Sequence, residues 1–197
     1  VAWKNDTVAI SDKALQRIAE CRASFLKLIE SDPPPVIYGV TTAMGELASR
    51  KLQRDERDRH ARIKAFAAAT SFGEPLPERV ARAIVLARLA NFIEGNAATT
   101  PRIALAVAAM LDGGPMPMVP SQGQGGAGEI LALYPLFAEL TAGLELEVKE
   151  RGSLINGSPC AAALVADAAL AARRRVAMAH KVFALSIEAF RAPLEHY

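Results

Sequence analysis

A mainly α protein is what this sequence predicts, on three observations. Hydrophobic residues fill 51% of the 197 positions while aromatic residues fill only 6%, so alanine carries much of the apolar content. Alanine has the highest helix propensity, and a chain of this length can bury a real core. Apolar residues also recur at helical spacing through most of the chain. Finally, residues 159 to 190 read as one alanine-rich helix. A helix of about 30 residues reaches roughly 45 Å, more than a small domain covers, so it is expected to pack against another subunit in a helical bundle.

The elements follow in chain order. Residues 1 to 11 alternate weakly and suggest a short strand. Ser11 and Asp12 offer an N-cap to an amphipathic helix whose stripe is Leu15, Ile18, Ala19, Phe25, Leu26 and Ile29, interrupted by Arg22 and ended by Pro33-Pro34-Pro35. Val36 to Gly45 is short, β-branched and glycine-flanked, and reads as an extended piece entering a loop that carries Tyr38. Helices are expected over about residues 54 to 70, 77 to 95 and 101 to 112, the last with Thr100 as N-cap and Pro101 at the first helical position. Asp112-Gly113-Gly114-Pro115 closes that run and opens a proline-rich link to a glycine-rich segment. Residues 129 to 142 are helical in period, and Pro159 falls in the first turn of the long helix. One domain is expected, with residues 1 to 125 as an N-terminal α+β region and residues 126 to 197 as the start of a helical bundle.

The charge balance excludes some functions. With 23 basic and 21 acidic residues the net charge is +2, which leaves no electrostatic footprint for nucleic acid or an anionic membrane. Arg173-Arg174-Arg175 is the one basic cluster and reads as a solvated helix face. Cys21 and Cys160 make neither a disulfide framework nor a metal site and fit a reducing, cytoplasmic compartment, and His60, His180 and His196 lack metal-ligand spacing. No metal is assigned. No apolar run is expected to approach the roughly 20 residues that span a bilayer, and the N-terminus lacks signal-peptide order. Cys160 could be a nucleophile, but a buried helix cysteine is the simpler reading.

Four segments carry the functional signal: Tyr38-Gly39-Val40-Thr41-Thr42-Ala43-Met44-Gly45, Gly73-Glu74-Pro75-Leu76-Pro77, Ser121-Gln122-Gly123-Gln124-Gly125-Gly126-Ala127-Gly128-Glu129-Ile130, and Lys149-Glu150-Arg151-Gly152-Ser153-Leu154-Ile155-Asn156-Gly157-Ser158. In this order and at these separations they resemble the aromatic amino acid ammonia-lyase and aminomutase family, of which histidine ammonia-lyase is the best-known member. The resemblance runs through nearly the whole chain. It implies an ammonia-lyase-like helical fold. Members of that family are more than twice as long, so a second polypeptide supplying the C-terminal helical part, in a hetero-oligomer, is expected unless the chain is a fragment.

The resemblance also implies roles. The family's Ala-Ser-Gly tripeptide cyclises to the electrophilic methylidene-imidazolone group, whose exocyclic carbon comes from the serine. Here Gly126-Ala127-Gly128 takes its place and Ala127 has no hydroxyl to lose, so the group is expected to be absent and the backbone unmodified. The run Gly125, Gly126, Ala127 and Gly128 is left either as an anion-binding loop ahead of a helix N-terminus or as a tight turn. Tyr38, followed by Gly39, matches the family's general base; its alternative is a packed tyrosine bonded to backbone. Asn156 matches the asparagine beside prosthetic group and substrate; its alternative is an Asn-Gly turn. Ala68 and Ala69 fall where the family reads the substrate side chain. They offer no hydrogen bond, so histidine and tyrosine are poor guesses for the substrate.

The function expected is a small, N-terminal subunit of a split ammonia-lyase-like enzyme without methylidene-imidazolone, abstracting a proton with Tyr38 from a small carboxylate or carbonyl compound. Two alternatives stay open: a chain completing composite sites whose partner carries the prosthetic group, and a non-catalytic helical scaffold.

Overall fold

The computed structural model describes residues 1 to 63, 70 to 123 and 128 to 196. Helix α1, Asp12–Ile29, begins where Ser11 accepts from the backbone N–H of Ala14 at 3.3 Å; Asp12 already lies in the first turn. Its buried positions are Ala14, Ile18, Arg22 and Ile29. Arg22 therefore continues the inward face instead of interrupting it. Its guanidinium donates to the carbonyls of Ala98 (2.9 Å) and Val148 (2.8 Å) and pairs with Glu147 at 2.7 Å, which satisfies most of a buried cation's donors. Ala19, expected on the stripe, is exposed.

Residues 1 to 11 form no strand. They make a turn and an extended passage that lays Val1, Val8 and Ile10 against the core. Trp3 lies under two guanidiniums, Arg174 at 4.0 Å and Arg79 at 5.7 Å from its ring centroid; such stacking is favourable. Arg174 is thus engaged with the N-terminal segment and is not simply solvated.

The segment after the three prolines is tighter than an extended piece. The carbonyl of Ile37 accepts from the N–H groups of Val40, Thr41 and Thr42, and Thr41 donates to the Pro35 carbonyl at 2.7 Å. An antiparallel bridge from Thr42 to Lys51 closes the loop. Helix α2, Arg54–Ala61, follows; residues 64 to 69 of the expected longer helix lie outside the described residues.

Two short strands, β1 (Phe72–Pro75) and β2 (Pro120–Gln122), pair antiparallel with Phe72 opposite Gln122 and Pro75 opposite Pro120. Glycine- and proline-bearing sequence gives no strand signal, and prolines are tolerated in such a ribbon because its outer edges need no donor. Between the strands run α3 (Glu78–Ile93) and α4 (Pro101–Ala109), then α5 (Ile130–Ala142), a short α6 (Glu150–Ile155) that periodicity does not predict, and α7 (Pro159–Ala189). Thr100 caps α4, accepting from Ile103 at 3.4 Å.

Helix α3 is the centre of the core. Val80, Ala81, Ile84, Val85, Leu89 and Phe92 are all buried, because α1, α4 and α7 pack around it. Only Pro159, Cys160 and Ala163 of α7 are buried, and the helix then runs on with Val165, Val176, Met178, Val182 and Leu185 exposed. By length and composition alone, the stretch Glu150–Ala189 is long and apolar enough to cross a membrane. The sequence expectation that no run comes near that length is corrected on this point, although Asn156 to Ser158 break the helix between α6 and α7.

Candidate functional site

The site is built where the glycine segment meets the starts of two helices. Glu129 adopts a left-handed backbone (φ 50°, ψ 29°) and is buried. Its carbonyl begins α5, accepting from Ala132 and Leu133, while its carboxylate accepts from the N–H of Cys160 at 2.6 Å and of Ala161 at 2.8 Å. One residue therefore caps α5 with its backbone and α7 with its side chain, placing negative charge at the positive end of the longer helix. The N-terminal donors that a free anion could use on α7 are in part already taken by Glu129.

Gly128 has φ +113°, and a Cβ there would sit 3.0 Å from Oδ1 of Asn156. The Asn156 amide thus abuts the end of the glycine segment. Its Nδ2 donates to the Gly152 carbonyl at 2.9 Å and its own carbonyl accepts from Arg88. Gly157 follows with φ +89°, a turn conformation that glycine suits. Asn156 is thus a turn residue, and it also lines a cleft.

That cleft holds about 460 Å³ and is lined by Arg88, Asn91, Asn96, Lys149, Asn156 and Ser158 among others. Arg88 is 4% exposed; burial pulls its guanidinium down to about 10, against the raising influence of Cys160 and Glu129. Burial likewise holds the Lys149 ammonium below its ordinary value, and Lys149 sits in a left-handed conformation at φ 76°. The Cys160 thiol is pushed up to about 12, first by burial and then by Glu129. A thiol so held is a poor nucleophile, which agrees with the buried-cysteine reading.

Tyr38 is 59% exposed. Its hydroxyl oxygen accepts from the Gly45 N–H at 2.9 Å, a backbone bond of the kind its structural reading anticipates, and its own O–H stays available to donate. Gly39 and Gly45 have φ of 69° and 63°, and Met44 packs so close that a Cβ on Gly39 would meet its thioether at 3.0 Å. Tyr38 and Gly39 do not line the cleft beside Asn156. Gly125, Gly126 and Ala127 of the loop, and Ala68 and Ala69, lie outside the described residues; of the loop positions singled out, only Gly128 is described.

Ala127, which the resemblance sets in the place of the family's serine, carries no side-chain oxygen. No group of three or more metal-ligating side chains occurs among the described residues. Sequence reasoning missed Arg88, Lys149 and Glu129 as site-shaping residues. For Arg88 a signal existed: a lone arginine four positions before Phe92 on an otherwise apolar helix face is a buried cation awaiting partners.

The family model described as aromatic amino acid lyase matches residues 1–143. Histidine ammonia-lyase of Gloeobacter violaceus is 30% identical over 206 residues, covering 92% of this chain and 40% of its own length. That of Deinococcus radiodurans is 27% identical over 213 residues, covering 96% and 40%. Among solved structures, the ergothioneine degrading enzyme Ergothionase from Treponema denticola superposes with a TM-score of 0.80 at 21% identity, over 95% of this chain and 42% of that one, a likeness of fold. The chain spans about 40% of the length of these curated relatives.

Proposed function

The chain belongs to the aromatic amino acid lyase family, and on that premise we propose that it is the smaller, N-terminal subunit of a split ammonia-lyase-like enzyme that works without methylidene-imidazolone. The observation that carries this reading is the pairing of a lost electrophile with retained family residues: Ala127 stands where the resemblance puts the serine, while Tyr38, outside the cleft, and Asn156, on its wall, remain. Support comes from Asn156, whose amide abuts Gly128 and faces a polar cleft. Tyr38 acts as the base, and Asn156 orients a carboxylate or carbonyl oxygen. Without a strong electrophile such a site suits elimination or rearrangement of a small substrate already activated elsewhere.

We place the rest of the site on further polypeptide packed against α7, in a soluble, cytoplasmic hetero-oligomer. The apolar residues that α7 leaves exposed beyond Ala163 support this, since large contiguous apolar faces mark interaction surfaces. Native mass spectrometry from the natural source, followed by denaturation, tests it. A second, larger chain and an unmodified mass for this one are expected; loss of two waters from this chain would refute the unmodified loop. Once a substrate is in hand, Tyr38→Phe is expected to lower turnover by at least about a hundredfold with the circular dichroism unchanged. Turnover left intact would remove Tyr38 from the chemistry.

A further inference from the structure

Among the described residues, the cleft beside Asn156 is lined by no acidic side chain. Its described lining includes two cations, Arg88 and Lys149, the amides of Asn91, Asn96 and Asn156, and the hydroxyls of Ser153 and Ser158. Among the described residues neither cation forms an ion pair with a carboxylate at hydrogen-bond distance, although Glu129 acts on Arg88 from farther off. Arg88, 4% exposed, reaches the Asn156 carbonyl and, weakly, Asn91 Oδ1 at 3.5 Å, and its Nε has no partner. The Lys149 ammonium makes no hydrogen bond or ion pair among the described residues, and its backbone is held in a conformation that side-chain-bearing residues rarely adopt. Strain of this kind persists where surrounding structure fixes it, and it clusters at ligand sites. Buried cations are expected to be paired; here the partner is what the cleft lacks.

We propose that this cleft is a binding site for a small oxyanion, a carboxylate or phosphate group, held between Arg88 and Lys149 and oriented by the amides of Asn91, Asn96 and Asn156. The start of α7 at Ser158 adds the positive end of a 31-residue helix. Glu129 occupies the N–H groups of Cys160 and Ala161 from within, so the anion is recognised by the side chains on the open side and not by those two amides.

The proposal shares Asn156 with the proposed function but does not depend on turnover, and the two fail separately. Tyr38 lies outside the cleft, so Tyr38→Phe leaves anion binding as it is, whereas Lys149→Gln and Asn96→Asp act on the cleft alone. The ¹⁵N-labelled chain, together with its partner if one is isolated, is titrated with inorganic phosphate and separately with succinate at constant ionic strength. Saturable shifts of the Asn91, Asn96 and Asn156 side-chain amides are expected, with affinity reduced by about tenfold or more in each variant, as loss of one charge-assisted hydrogen bond implies. Circular dichroism confirms that both variants fold. Absence of saturable shifts, or shifts of equal affinity in wild type and both variants, would overturn the proposal. An assembly in which neither anion titrates, and in which Lys149→Gln changes the assembly mass, would show that a carboxylate of a packed chain fills the cleft and would overturn the small-molecule assignment.

Discussion

At the scale of single residues, Glu129 shows how a short segment can be fixed from both sides. Its carboxylate takes two backbone N–H groups of α7 while its carbonyl starts α5. Removing the carboxylate leaves two donors at a buried helix start without a partner, and each charge-assisted bond is worth about 1.5–3 kcal/mol. Glu129→Ala is therefore expected to destabilise the chain by about 3 kcal/mol in urea unfolding, and Glu129→Gln, which keeps one acceptor oxygen, by roughly half of that. Equal stability of wild type and both variants would mean that the α7 cap contributes nothing. The glycine pattern around it is readable in the sequence. The pairing of Glu129 with Cys160 and Ala161 is not, because it joins positions 31 and 32 residues apart through a turn that no local pattern encodes.

Among the elements, α7 is the one whose sequence and environment disagree most. Its first turns are locked against α3, with Arg79 and Asp167 paired at 3.1 Å, yet Val176, Val182 and Leu185 face outward. Exposed apolar side chains each carry about 1.5–3 kcal/mol of unrealised burial, enough for several together to drive association. The isolated chain is expected to self-associate in sedimentation velocity, and Val182→Glu with Leu185→Glu to shift it toward monomer without loss of helix signal. A chain that is monomeric before substitution would remove the case for a covered α7. The long helix itself, its proline start and its expected need for a partner surface are legible in the sequence. The two-stranded ribbon is not, since Phe72–Pro75 and Pro120–Gln122 hold glycine and prolines where strand formers would be, and their pairing comes from the helices between them bringing both ends together.

For the molecule as a whole, folding joins distant segments through buried cations. Arg22 ties α1 to Ala98 and Val148, Arg82 donates to the Leu111 carbonyl at 2.7 Å, and Arg151 donates to the Ile63 carbonyl at 2.8 Å. Beside Arg151 lies His60, whose pKa burial lowers first and the Arg151 charge lowers further. A histidine with a folded pKa below its unfolded value of about 6.5 makes the unfolded chain bind more protons below that pH, so stability is expected to fall as pH drops below about 6.5. His60→Gln is expected to flatten that acid limb between pH 7.5 and 5.5 in urea unfolding, with little change above about pH 7. An acid limb of the same slope in the variant would assign it to other groups. The effect is small, because the ring is only partly buried and solvent screens the Arg151 charge.

The sequence by itself determined the helical class, the family and the ordering of Tyr38, the glycine segment and Asn156 along the chain, because these rest on local periodicity, on turn-forming glycines and on motif spacing. Tertiary structure alone decided that Arg22 belongs to a buried face, that Glu129 caps α7, that Tyr38 bonds Gly45 away from the cleft, and that Arg88 and Lys149 meet around Asn156. Those outcomes depend on which distant carbonyls and helix ends are brought within hydrogen-bond reach, and a buried charge finds its partners only once the chain has closed around it.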